Sequence, residues 1–329
     1  MTEELSLARI EAAAQLIDPQ FRSTPQYVDP QLSMALGREV MAKVEFANPL
    51  GSFKGRGADF FVRELEPGPR LVCATGGNFG QALAYAGRRH GFPVYVFVAA
   101  TLDPGKLARI RALATEVRVI EGDDEEDAKE AAREHAAGDP ALLFVEDGRE
   151  VAIAEGAGTI GVELIAATPL DTLVVQVGDG ALIGGVARWV KEHSPQTRIV
   201  GVCPSGSPAM ALSWREDRPV ATARADTIAS ALAVRSPVPE SVARIRSLVD
   251  DFVLVDDSDM VEAMRIVADT LGILVEPAGA AGVAAILRHD IPGERLAVLL
   301  TGQGLPAALR TAVLAPSPAT PRKSQFPPP

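Results

Sequence analysis

One of the six lysines in this 329-residue chain has neighbours suited to covalent chemistry. Lys54 lies in Asn48-Pro49-Leu50-Gly51-Ser52-Phe53-Lys54-Gly55-Arg56-Gly57-Ala58, a turn-like sequence that runs into the apolar helix face Ala58, Phe60, Phe61. Turn glycines let backbone come close to a ligand. An amine at a helix start, near positive dipole charge and partly desolvated, has its neutral form favoured and can act as a Schiff-base nucleophile. A solvated loop lysine fits the same residues equally well. Lys106, Lys129 and Lys191 fall in amphipathic segments and Lys323 in a polar C-terminal stretch, so all four read as surface charges. Lys43, in the strand-like segment 41–46, reads as a rim residue.

Three glycine-containing turns complete the candidate chemistry. Ala74-Thr75-Gly76-Gly77-Asn78-Phe79-Gly80-Gln81 follows an apolar strand and opens a helix, so its amides and the Thr75 and Asn78 side chains can hold a carboxylate. A glycine-rich turn capped by Asn78 is the plain alternative. Val177-Gly178-Asp179-Gly180-Ala181-Leu182 also joins strand to helix and suits a phosphate, which small residues and the helix dipole would attract. It lacks both GxGxxG and GK[ST], so a dinucleotide or nucleoside triphosphate has little support. Leu300-Thr301-Gly302-Gln303-Gly304 ends the last apolar run, and its hydroxyl can face the crevice at the strands' carboxyl ends. A capping threonine accounts for it locally as well.

These turns need a frame that brings them together. Short apolar runs at 70–74, 93–100, 116–122 and 141–147 alternate with helix-like stretches 79–89, 106–114 and 124–135. A second series places strands at 172–177, 197–203, 250–256 and 295–302, with helices including 181–192 and 257–271. This is the pattern of α/β folding around parallel sheets. The expectation is two open, twisted, mostly parallel sheets flanked by helices. A small domain is expected at 67–147 and a large one from 1–66 plus 148–315, with the crossing near 149–154. The N-terminal segment reads as a surface helix, and the polar, proline-rich 316–329 as a mobile tail.

Composition removes several functions. Forty-three acidic against 32 basic residues give a net charge of −11 and no basic run, so neither nucleic acid nor anionic lipid is an expected partner. No stretch has the roughly 18 uninterrupted apolar residues of a membrane span. Two cysteines allow at most one disulfide and no Cys/His spacing suits a metal, so a reducing, cytoplasmic setting is expected and no metal.

In order and context, the four segments resemble the fold-type II pyridoxal-phosphate enzymes, the superfamily of tryptophan synthase β, cysteine synthase, serine racemase and the serine/threonine dehydratases. The resemblance spans roughly residues 20–310 and implies pyridoxal 5′-phosphate as cofactor. It implies that Lys54 forms the Schiff base and later moves the substrate Cα proton, with Phe53 beside the ring. Ser52 and Thr75, Gly76, Gly77, Asn78 and Phe79 would meet the amino-acid substrate, Asn78 also facing the cofactor's 3′ oxygen. Gly178, Asp179, Gly180, Ala181 and Leu182 would form the phosphate cup, and Thr301 would face the pyridine nitrogen. Glu276-Pro277-Ala278-Gly279-Ala280 resembles the family's EPSGA segment and would set Glu276 near the cofactor.

Ser52-Phe53-Lys54-Gly55-Arg56-Gly57-Ala58 resembles the SFKxRGA motif of the dehydratase and racemase branch. That implies elimination from a serine- or threonine-like β-substituted amino acid to a 2-oxo acid and ammonia, in a homodimer. A β-replacement enzyme and a catalytically silent cofactor-binding protein are the alternatives. Racemisation in this branch uses a serine on the opposite face, and Gly76 stands at that position. Asp179 and Ala181 interrupt the cup's usual glycines, Phe79 replaces a common histidine, and Ser230-Ala231 replaces Asp-Gly.

Overall fold

The computed structural model describes residues 4–122 and 125–314; Asp124 and the 316–329 tail lie outside the described residues. Its strands are β1 (Gln26–Val28), β2 (Glu39–Val44), β3 (Arg70–Ala74), β4 (Val94–Ala99), β5 (Glu116–Ile120), β6 (Leu142–Phe144), β7 (Thr172–Gln176), β8 (Arg198–Pro204), β9 (Asp251–Val255) and β10 (Arg295–Leu300). They form two sheets. One has the order β1-β2-β10-β7-β8-β9, with β1 antiparallel at the edge and the rest parallel. The other, β5-β4-β3-β6, is wholly parallel.

Side chains of the larger sheet alternate between two apolar layers, as the twofold period of a strand requires. Val174, Val298 and Leu300 face the helices Asp257–Leu271 and Pro277–Arg288. Leu173, Val175, Ala297 and Leu299 face the helix Ala181–His193. Burial on both faces explains why these strands are continuous apolar runs. The helix Lys54–Arg63 lies between the smaller sheet and the helix Val151–Ala167, because Phe60 and Phe61 share one core with Leu71, Cys73 and Val96 of that sheet and with Ile153 of that helix. Residue 151, inside the expected crossing region, begins the helix Val151–Ala167, nearly all of whose first eleven residues are buried.

Register places the candidate turns together. Leu300 pairs with Val44 and Gln176 with Val202, so the turns after β2, β10 and β7 leave from one end of the sheet. Thr75 follows β3 at the carboxyl end of the smaller sheet, its amide bonded to Phe97.

Candidate active site

Lys54 begins its helix at a turn that is fastened from three sides. Asn48 Nδ2 donates to the carbonyls of Glu45 (2.8 Å) and Ser52 (3.0 Å), while its Oδ1 accepts from the Leu50 amide. Ser52 pairs with Gly302 in an antiparallel bridge, and the Phe53 amide donates to the Thr301 carbonyl at 3.0 Å. The Lys54 and Thr301 turns are thus one backbone unit.

Arg56 holds the helix from inside. It is fully buried and donates to both oxygens of Glu45 (2.8 and 3.0 Å) and of Glu163 (2.7 and 2.9 Å). Lys43 Nζ donates to Glu163 at 2.5 Å and to the Thr24 carbonyl at 2.9 Å. Burial alone would raise the Glu163 carboxyl, but the hydrogen bonds and charges of Arg56 and Lys43 bring it down to about 2. Lys43 is therefore buried structure and not a rim residue: two carboxylates replace its water.

Lys54 Nζ reaches Asp147, just beyond β6, and lies 4.9 Å from the centre of the Phe53 ring and 6.0 Å from that of buried Phe79. Asp147 Oδ1 and Ser52 Oγ are buried with no hydrogen-bond partner, in a protein where most such groups are satisfied. The amine thus stands in a pocket with polar capacity to spare.

Thr75 Oγ1 accepts from the Gly77 (2.9 Å) and Gly80 (3.1 Å) amides and so shapes the loop. Gly77, and not Asn78, is the cap of the helix Asn78–His90. Asn78 Nδ2 instead donates to Glu276 Oε1 at 2.9 Å, across to the other sheet's layer. Burial raises the Glu276 carboxyl, opposed by Lys106, Asn78, Arg109 and Lys54. Thr301 is buried and caps nothing; its Oγ1 accepts from Gln176 Nε2 at 2.7 Å, which leaves the hydroxyl its own proton to donate.

The turn of Gly178, Asp179 and Gly180 ends at the helix start Ala181-Leu182. Gly180 has φ +91°, and a Cβ there would lie 2.1 Å from Ser241 Oγ, so only glycine fits. Asp179 is turned to Lys129, 3.4 Å away, which offsets its charge beside the helix N-terminus. Lys129 and Lys106 are 8% and 6% exposed, correcting the surface reading of both. Burial pulls Lys129 down, but Asp179, Glu125, Glu126 and Glu146 hold it above its ordinary value and charged. Lys106 Nζ donates to Ser230 Oγ at 3.0 Å. Amphipathic spacing marked both helices correctly but carried no sign that their polar edges face a cleft.

All these groups converge. Lys54, Thr75, Gly76, Gly77, Asn78, Phe79, Asp147 and Asp179 line one small pocket. Through Thr75, Gly76, Glu125, Lys129 and Ser230 it adjoins a cavity of about 950 Å³. Phe53 borders the Lys54 amine, while Ser52, Glu276 and Thr301 join through the bonds described above.

A family model described as pyridoxal-phosphate dependent enzyme matches residues 17–302. The chain belongs to that family. The family's cofactor suits the residues present: an amine at a buried helix start, a buried hydroxyl with a proton to give, a glycine turn at a helix N-terminus, and unpartnered polar atoms between them. This pyridoxal-phosphate enzyme is similar to the phenylserine dehydratase of Ralstonia pickettii, at 32% identity over 87% of this chain and 89% of that one. It is similar to the L-threonine ammonia-lyase of Thermotoga maritima, at 29% identity over 91% of this chain and 75% of the relative. Among solved structures, the processed threonine deaminase isoform 2 of Solanum lycopersicum superposes with TM-score 0.85 at 27% identity, covering 94% of this chain and 91% of that one.

Asp147, Gln176, Glu125, Glu45 and Glu163 were not marked in the sequence. A polar residue ending an otherwise apolar strand, as in Thr172–Gln176, was the available signal for Gln176; the others are placed only by contacts distant along the chain.

Proposed function

We propose that the protein is a pyridoxal-phosphate-dependent ammonia-lyase acting on a serine- or threonine-like amino acid with a β-hydroxy or other β-substituent. The products are a 2-oxo acid and ammonia. The observation that carries this reading is Lys54 beside Asp147 in the pocket that also holds the Thr75–Asn78 loop. When bound, the cofactor supplies an electron sink for the charge left at Cα.

The chain's own residues do the rest. The loop amides around Gly76 and Gly77, with Asn78, orient the substrate carboxylate. Lys54 Nζ takes the Cα proton, with Asp147 keeping the amine in place. Thr301, supported by Gln176, offers a neutral hydroxyl to the ring nitrogen where an acid would offer a full charge. The Gly178–Leu182 turn and the helix start hold the phosphate, and Glu276 holds Asn78 in position. On this reading 1–66 and 148–315 form the cofactor-binding domain and 67–147 the substrate-binding domain. Two free, buried cysteines support a cytoplasmic protein. Exposed Tyr27, Val28 and Met34 near the β1 edge are apolar surface that would suit a homodimer.

Borohydride reduction followed by peptide mapping tests the site: a pyridoxyl adduct is expected on Lys54, and an adduct elsewhere would overturn it. Lys54→Ala should lower release of 2-oxo acid from L-serine or L-threonine by at least about a thousandfold and abolish Cα deuterium exchange. Unchanged exchange would sink the assignment.

A further inference from the structure

Three carboxyl groups line the small pocket with Lys54: Asp147, Asp179 and Glu125. Asp147 is engaged by Lys54 and Asp179 by Lys129. Glu125, in the first turn of the helix Glu125–Ala137, is near both cations, yet those lysines hydrogen-bond to the other two acids. Its carboxyl lies over the Thr75–Asn78 loop, since a Cβ on Gly76 would come within 2.6 Å of Glu125 Oε2. An acid from the smaller sheet's helix thus fills the space a side chain at 76 would take. It also borders the 950 Å³ cavity, so it stands between the Lys54 pocket and solvent.

We propose that Glu125 is the catalytic acid that protonates the departing β-oxygen of the substrate. The proposal rests on the elimination reading above. With the substrate carboxylate on the loop and its Cα facing Lys54, the β-substituent has Glu125 as the neighbouring acid, the one of the three to which neither lysine donates a hydrogen bond. The Cα–H proton passes to Lys54 Nζ and that electron pair forms the Cα–Cβ double bond. The Cβ–O bond breaks with its pair going to oxygen, and the Glu125 O–H supplies the proton, so water leaves. The carboxylate left behind is reprotonated from the open cavity.

The charge environment suits an acid. Burial raises the Glu125 carboxyl to about 7; Asp179 and Asp147 add to the rise, while Lys129 and Lys54 oppose it. It therefore keeps a proton near neutrality that an ordinary carboxylic acid would have lost.

The test compares L-serine, whose hydroxyl needs a proton to leave, with β-chloro-L-alanine, whose chloride does not. In Glu125→Gln, kcat for serine should fall by about 10²–10⁴-fold while turnover of β-chloroalanine stays within about threefold, which also shows the variant to be folded. In the unmodified enzyme, the serine rate should fall relative to the β-chloroalanine rate as pH rises through about 7. Equal losses on both substrates, no loss on serine, or identical pH profiles would overturn the role of Glu125. Absence of 2-oxo acid from both substrates in the unmodified enzyme would instead overturn the lyase reading, and this inference with it.

Discussion

Lys54 and Arg56 are two residues apart at one helix start, yet the charges around them are arranged in opposite ways. Around Arg56, two cations and two carboxylates satisfy one another at 2.5–3.0 Å in the interior. Around Lys54, Ser52 Oγ and Asp147 Oδ1 have no partner, and Glu125 carries a raised carboxyl. Burial is costly to both groups; the first is compensated by its own ion pairs, and in the second the Lys54–Asp147 pair leaves one carboxylate oxygen without a partner. The contrast separates a scaffold from a candidate site: a closed ion-pair network fixes the helix, and the polar atoms beside Lys54 keep hydrogen-bonding capacity for a ligand.

The largest effect on this contrast should come from Arg56→Met. It leaves buried Glu45 and half-buried Glu163 with Lys43 as their remaining cation, and a loss of about 3 kcal/mol is expected in denaturant unfolding. A loss below about 1 kcal/mol would mean that the cluster is not the anchor inferred here.

Acid should act on the two regions with opposite sign. Glu163 is held near 2, below the ordinary 4.5, so its contribution is complete above pH 4.5 and is lost as pH falls toward 2. The amount is on the order of 3 kcal/mol. Glu125 is raised to about 7, so without ligand its ionisation lowers stability as pH climbs from 4.5 to 7. Unfolding measured from pH 2 to 8 should show both limbs, and Glu125→Gln should reduce the upper one, to which raised Glu276 also contributes, and leave the lower one unchanged.

The smallest change is expected at Lys129→Met, which leaves Asp179 uncompensated beside the helix N-terminus proposed to hold the phosphate. Affinity for pyridoxal phosphate, measured by titration after the cofactor is removed, should weaken by about tenfold with little effect on the Arg56 cluster. Unchanged affinity would show that Asp179 does not bear on the phosphate.

The parts of the fold that could be seen in advance are those whose signal is local. β3, β4, β7, β8 and β10 are continuous apolar runs because both of their faces are covered, and that burial is written into composition. Gly180 and Thr75 stand in strand-to-helix turns, and turn chemistry is likewise short-range. The helix Val151–Ala167 escaped because it is buried almost all round its first three turns and shows no single apolar stripe. β1, three residues long with exposed Tyr27 and Val28, has neither period nor burial to mark it.

The sequence by itself determined the α/β class and singled out Lys54 and three glycine-containing turns as candidates. Each depends on residues adjacent along the chain. Only the tertiary structure decided the partners: Asp147 for Lys54, Gln176 for Thr301, Glu276 for Asn78, Lys129 for Asp179, and Glu125 over Gly76. The physical reason is that a charge or hydroxyl is defined by what lies within about 3–4 Å of it. In these five cases the neighbour comes from a distant segment that packing, and not spacing, brings near.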